Sequence, residues 1–595
     1  MKKVKSLFQV MLYCFKISIE ASTFCTLARV LIKIVSVAIP ILNAYTMRYI
    51  INLIAITYSE DLLPSLIMAI IALLLLSLTS YLLGSLSAYI VDVHNIHMQN
   101  LIDIKLAQTA VQMDLKHFDS PEYFDKFSNA KRDSSAVITI TWNIIDGFGS
   151  FLSLISAFCI LAQLNIVIGI FVIISIIPSF IVSQKYTRKI YHWEKENVMQ
   201  DRQCNYLYNI MTGKDCAQDL RLLGIGPYLL SLFKTTWAAW FGQKKVLLKK
   251  RTIFTTIANL NPIVISTIFI GWIAVEIFIG KREIGDFTLY TSQVQQLQTS
   301  VTAFIVYIVN IYDSKLKVNN IQSFQDIESE IVDGQEVITG TIDSIEFRNV
   351  SFSYPGCSIP VLNDVCFKVE SGDSVAIVGL NGSGKTTIIK LLLRFYSPSS
   401  GQIYINGKDI AQYDLRSLRQ KFDVMFQEFN VYAFTLKENI ELSDLCNTSK
   451  NTDARIQDAL KTSGADSILN KLPQGLNTYL SREFSEEGVK LSKGEEQKIA
   501  LARMFYRDSE VILLDEPSAS LDAEAENRIF NTIKDLNNGK TVIFITHRLA
   551  NIKIAKKIFV LENGRIIESG SHDDLMKLSG RYATLYNYQA EKFSI

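Results

Sequence analysis

Residues 62–91 hold no charged side chain over thirty consecutive positions. An α-helix needs about 20 apolar residues to cross a bilayer. In lipid the backbone must satisfy its own hydrogen bonds, so this run is predicted to be a spanning helix. Five further apolar segments lie before residue 312. The predicted spans are about 22–56, 62–91, 136–161, 164–183, 252–280 and 287–312, with a polar reverse at Gln163–Asn165 dividing the third from the fourth. Arg29, Lys33 and Arg48 interrupt the first span. After residue 343 the composition becomes that of a soluble α/β domain. The chain therefore reads as an N-terminal segment 1–20, a helical membrane domain 21–320, a linker 321–342 and a soluble domain 343–595.

Composition agrees with that division. The 595 residues are 49% hydrophobic, and the mean hydropathy is +0.21, too apolar for an ordinary soluble protein. A net charge of +2 without a basic tail gives no case for nucleic acid. The eight cysteines are scattered, with no metal-ligand or C-x-x-C spacing, and read as reduced, mostly buried thiols.

Lysine and arginine orient the spans. Residues 184–251 carry Lys185, Arg188, Lys189, Lys195, Arg202 and a 244–251 cluster, whereas the short loops at 60–61 and 280–286 are acidic or mixed. Positive charge favours the cytosolic side. That places the N-terminus, 92–135, 184–251 and everything after 313 in the cytosol of a multi-pass protein of the cell membrane. Residues 1–20 read as an amphipathic helix on the membrane surface. A signal peptide is the competing reading, opposed by the brevity of the apolar run and the lack of a clean cleavage site. No room is left here for an N-terminal protease domain. The stretches 117–133 and 211–233 in the two cytosolic insertions are either solvated loops or short helices that dock on the soluble domain.

Ionisable groups inside spans are costly. Arg48 and Glu276 fall toward outer ends, where snorkelling or mutual pairing would satisfy them. Asp146 falls in an inner extension. A transport role is the alternative for each. Ser292, Gln293, Gln295, Gln296, Gln298, Thr299 and Ser300 make the first half of the sixth span too polar for lipid. They either bond to neighbouring helices or line a wet cavity.

The soluble domain carries the chemistry. Gly379, Leu380, Asn381, Gly382, Ser383, Gly384, Lys385, Thr386 and Thr387 fit the phosphate-binding pattern G-x-x-x-x-G-K-[ST] between an apolar β-prone run and a helix-compatible one. Backbone N–H groups freed by the glycines converge on phosphate at a helix N-terminus. Lys385 supplies a point charge and Thr386 a hydroxyl for Mg²⁺. The apolar run 511–514 leads into Asp515, placed to hold Mg²⁺, and Glu516, placed to polarise water. A further strand, 541–545, ends near His547, which would reach the γ-phosphate side of the same site.

Residues 345–590 resemble the nucleotide-binding domain of ATP-binding cassette (ABC) transporters, with the motifs in family order. The resemblance implies that Tyr354 stacks on adenine. It implies that Gln427 senses Mg²⁺ and contacts the membrane domain. It also implies that Ser492 and Gly494 of the signature Leu491–Glu495 meet the γ-phosphate, that Asp522 belongs to the D-loop, and that His547 is the switch histidine. Lys493 and Glu495 depart from the usual LSGGQ; with Ser492 and Gly494 retained, hydrolysis is expected to survive, and a carboxylate at Glu495 near phosphate could slow it. The resemblance to exporters makes 117–133 and 211–233 coupling helices, and Glu486 is a candidate contact for them. The whole then resembles an exporter, a six-span helical membrane domain followed by an α/β P-loop ATPase domain. Its insertions and the segment 426–444 are similar to those of lantibiotic-type peptide exporters. The resemblance implies bacterial origin, ATP with Mg²⁺, and alternating access. It also implies a partner that is a second copy or a paralogous half-transporter. The implied cargo is a small peptide; a multidrug or lipid exporter is the alternative, and a non-transporting ATP-gated sensor a third reading.

Overall fold

The computed structural model describes residues 6–56, 60–214, 216–327, 329–445, 452–517, 531, 539–546 and 549–593. They fall into two compact units, Met1–Val111 with Asp125–Ile327 and Gln112–Phe124 with Glu328–Ile595.

The first unit is helical. Helix α1, Leu7–Ala21, starts at a capping box in which Ser6 and Gln9 satisfy each other's backbone N–H. Val10, Cys14, Ile17 and Ser18 are buried along one face, while Phe8 and Leu12 stay exposed. Helices α2, Thr23–Ala55, and α3, Leu63–Gln112, follow; next in the chain come α4, Leu115–Phe118, which belongs to the second unit, and α5, Pro121–Arg132, which begins there and passes into the first. Helix α6 runs Ser135–Glu196 but is broken at Asn165, whose backbone is extended (φ −165°, ψ 120°) and whose Oδ1 accepts the N–H of Val167 at 2.9 Å. Helix α7, Val198–Thr212, and α8, Ala217–Leu223, lead to α9, Gly226–Phe278, and α10, Ile284–Gln325. Among the described residues four segments, centred on α2, α3, α6 and α9, are long and apolar enough to cross a membrane. Helix α10, with its glutamines, is not among them.

Helices α2, α6, α9 and α10 share one apolar core containing Ala44, Leu161, Val172, Ile273, Val294 and Leu297. Helix α3 behaves differently: only 6% of its apolar stretch is buried, a surface that only lipid or another membrane helix can cover.

Polar groups in this unit find partners. Arg29 and Lys33 both reach Asp146 Oδ1, at 3.0 and 2.9 Å. Gly149 makes this possible, because a Cβ there would lie 2.5 Å from Lys33 Cε. Arg48 pairs with Glu283 and Asp286, and Glu276 with Arg282 at 2.6 Å. Mutual pairing of Arg48 and Glu276 is thus not what forms; each has an acidic or basic neighbour nearer to hand. On α10, Gln296 and Ser300 bond to Ser153 of α6, and Gln298 donates to the Pro262 carbonyl of α9. Gln293 is fully buried with neither amide atom bonded. For three of these residues the neighbouring-helix alternative holds.

The second unit contains two sheets. A four-stranded antiparallel sheet has the order β2 (Leu362–Glu370), β1 (Ser344–Phe352), β4 (Ser400–Ile405), β5 (Lys408–Asp409). A six-stranded sheet has the order β10 (Arg565–Gly570), β9 (Lys557–Glu562), β3 (Ser374–Val378), β8 (Thr541–Ile545), β7 (Val511–Asp515), β6 (Phe422–Met425), parallel except at β10. Every residue of β3, β7 and β8 is buried, the pattern of strands covered on both faces. Successive side chains enter opposite cores: Val511 and Leu513 one, Ile512 and Leu514 the other.

Two expectations are corrected. The stretch 321–342 is not simply a linker: α10 runs through Gln325, and Ile338 and Ile342 join the core of the second unit. The thiols among the described residues are free, but only Cys14 and Cys25 are buried while Cys159, Cys357 and Cys366 are exposed; Cys446 lies outside the described residues.

Removing Asp146 strands two partly buried cations. Asp146→Ala is expected to destabilise the detergent-solubilised protein by about 3 kcal/mol, read as a lowered denaturation midpoint. An unchanged midpoint would mean that water already satisfies Arg29 and Lys33.

Candidate functional site

The site forms where β3 and β7 end, on either side of β8. After β3 the chain turns through Gly382 (φ 80°) and Gly384 (φ 104°) into helix α11, Lys385–Leu392. A side chain at Gly384 would meet Leu362 at 2.7 Å and the Val361 carbonyl at 2.9 Å. The Lys385 ammonium folds back to donate to the carbonyls of Gly379 and Leu380, both at 3.0 Å. Burial lowers its pKa, and Glu516 and Asp515 pull it back up. Ser383 is buried with its hydroxyl unpartnered.

Across the strand ends Thr386 Oγ1 donates to Asp515 Oδ2 at 2.6 Å. Burial raises the Asp515 pKa, and this hydrogen bond opposes the shift. The next residue, Glu516, is held at φ 53°, with its N–H on the Ile545 carbonyl of β8 at 3.0 Å. A left-handed glutamate costs about 1 kcal/mol or more; here it coincides with a side chain at a cavity wall. Gln427 Nε2 donates to Glu516 Oε2 at 3.1 Å.

These residues wall a cavity of about 540 Å³ lined by Tyr354, Val361, Asn381, Gly382, Gly384, Lys385, Thr386, Thr387, Gln427 and Glu516. The Tyr354 hydroxyl lies 3.1 Å from Thr387 Oγ1. Converging N–H groups at the start of α11, with Lys385, suit a phosphate chain. The oxygens of Thr386, Asp515 and Gln427 suit a hard divalent cation that takes its other ligands from phosphate and water. Asp522 and His547 lie outside the described residues.

Ser492, Gly494 and Glu495 do not line this cavity. Ser492 caps the helix Lys493–Arg507 in a capping box: the Ser492 N–H donates to Glu495 Oε2 at 2.9 Å, and the Glu495 N–H to Ser492 Oγ. Lys471 holds the other carboxylate oxygen at 2.7 Å. The lysine and the Ser492 N–H hold the Glu495 carboxyl down at about 2. The Glu495 charge is thus engaged by Lys471 and by the Ser492 N–H. Glu486 is exposed.

Sequence reasoning missed a link from this cavity to the first insertion. The Tyr396 hydroxyl donates to Asp119. The Tyr396 ring meets Tyr354 edge-on at 5.3 Å, and the Lys390 ammonium lies over both rings. Asp114, buried, accepts from Ser329, Glu330 and Ile331. The segment Gln112–Phe124 is thereby anchored within the ATP-binding unit. Adjacency across 277 positions leaves no local signal.

Residues 362–519 match the ABC transporter family. The chain is 31% identical over 495 residues to the subtilin transport ATP-binding protein SpaT of Bacillus subtilis, covering 81% of this chain and 78% of that one. It is 28% identical over 505 residues to the nisin transport ATP-binding protein NisT of Lactococcus lactis, covering 84% and 83%. An ATP-dependent lipid A-core flippase of Escherichia coli K12 matches at 38% over 264 residues, 44% of each chain. A bacterial Atm1-family ABC exporter with ATP bound has the same fold, with a TM-score of 0.81, 21% identity and coverage of 96% and 98%. The chain belongs to the ABC transporter family. It is a multi-pass membrane protein and a transport ATPase, with its ATP-binding domain fused to a membrane domain.

Two outcomes test the geometry. Glu495 titrates below its unfolded value of 4.5, so its contribution is full above that pH and is lost as pH falls toward 2. The stability difference between wild type and Glu495→Gln is therefore expected to shrink below about pH 4.5; a constant difference would contradict the Lys471 pairing. Tyr396→Phe keeps the ring contact but frees Asp119, and should lower stability by about 1 kcal/mol with ATP affinity unchanged. A large loss of affinity would mean that the ring contact depends on the hydroxyl.

Proposed function

We propose that the chain exports a small, ribosomally made peptide of the lantibiotic kind across the bacterial cytoplasmic membrane, with its N-terminus and ATPase unit cytosolic. The observation that carries the cargo class is likeness over 81% of the chain to a subtilin transport protein. The flippase likeness spans only 44% of either chain and gives lipid export weaker support.

ATP phosphates lie along Gly379–Thr387, with Tyr354 against the base. Thr386, Gln427 and Asp515 would hold Mg²⁺, which when bound would supply charge neutralisation at the phosphates. Glu516 orients or deprotonates the attacking water, its carboxylate positioned by Gln427. Ser492 and Gly494 stand apart from the cavity of their own chain, and in this reading they close the cavity of a second copy. By the family resemblance Asp522 is assigned to the D-loop and His547 as the switch histidine. Because each chain carries both halves of the site, a homodimer completes two equivalent sites; a paralogous half-transporter would do the same. Closing the seam shifts the membrane helices between inward and outward states, because ATP binds the closed state more tightly.

Glu516→Gln is expected to bind ATP but hydrolyse it at least about 100-fold more slowly; normal turnover would remove Glu516 as the base. Lys385→Ala should lose ATP binding, and unchanged affinity would refute the cradle. Hydrolysis in lipid nanodiscs should rise with lantibiotic precursor peptides. Stimulation by lipids or drugs alone would overturn the cargo assignment.

A further inference from the structure

A second cavity, of about 630 Å³, lies between the second arm of α6 and the distal half of α10. Its α6 wall changes character along one helix face. Phe180 and Ile181 are apolar, Gln184 and Lys185 come one turn later, and Arg188 one turn after that. Spacing of three and four places these residues on one face, and the change from apolar to cationic takes about 10 Å. Opposite stand Ile308 and Tyr312 of α10, both exposed. Lys185 and Arg188 are exposed, and neither makes a hydrogen bond or ion pair among the described residues. Asp313, next to Tyr312, is the acidic group within electrostatic reach of Arg188, and Lys317 offsets it. The site is therefore net cationic at its polar end and greasy at the other.

We infer that this cavity holds an anionic phospholipid, its phosphate on Lys185 and Arg188 and its acyl chains along Phe180 and Ile308. The order of chemistry along α6 is that of a lipid read from tail to headgroup. The place is where the apolar run of α6 ends, the boundary at which basic pockets between membrane helices take headgroups. An aromatic with a polar tip, Tyr312, suits the same depth. A peptide carboxylate would use the two cations but not the graded wall beneath them. This inference is independent of the exported cargo.

Native mass spectrometry of the full chain in detergent, titrated with phosphatidylglycerol or phosphatidylcholine, tests it. Wild type should retain phosphatidylglycerol in preference to phosphatidylcholine, and soluble glycerol phosphate should not compete at equal concentration. The double variant K185Q/R188Q should bind phosphatidylglycerol roughly thirtyfold more weakly, two cations' worth at an anionic headgroup. The pair K249Q/K250Q, also exposed, should leave binding unchanged. Equal retention by wild type and K185Q/R188Q overturns the site, as does displacement by glycerol phosphate. If K185Q/R188Q instead lowers recovery of dimers while lipid per chain holds, a second copy covers the cavity and the inference fails.

Discussion

The hydrogen bond from Thr386 to Asp515, 2.6 Å long, ties the loop after one central strand to the end of another two places away in the sheet. Everything chemical in the protein is arranged around that tie. It brings a buried carboxylate beside a buried ammonium while each is shifted toward its neutral form. Lys385 donates to two loop carbonyls and Asp515 accepts from one hydroxyl. A parallel sheet makes this affordable, because its strands end together and leave a crevice at their carboxyl ends.

The membrane unit follows the opposite rule. Ionisable groups within its predicted spans, Arg29, Lys33, Arg48, Asp146 and Glu276, are paired close by, and two α10 amides are bonded to neighbouring helices. Small residues allow it: Gly149 leaves space for the Lys33 stem. Among the described residues the unit leaves apolar surface uncovered, above all on α3, and it leaves Lys185 and Arg188 without a partner at the end of the α6 apolar run.

Much of this could be read from residues in order. A charge-free run declares a helix in lipid, and the glycine-rich loop with its lysine and threonine declares a phosphate site, because both signals are local. The carboxylates at the end of the 511–514 run were legible for the same reason, and the fold likeness to an exporter extends over the chain. The break at Asn165 follows from polar residues between two apolar arms. Contacts that depend on distant pairing were not legible. Asp119 meets Tyr396 only after folding, and Ile338 and Ile342 enter a core whose other members come from later strands. The pairing of Glu495 with Lys471, 24 residues away, was not legible either.

The central claim is that hydrolysis at this site moves peptide through these helices. The direct test is uptake of a labelled lantibiotic precursor peptide into sealed proteoliposomes whose outward-facing ATPase units receive ATP. Accumulation inside against a gradient, dependent on hydrolysable ATP, is the predicted result. ATP consumed at a normal rate, with no peptide accumulating above the level seen with a non-hydrolysable analogue, would contradict it.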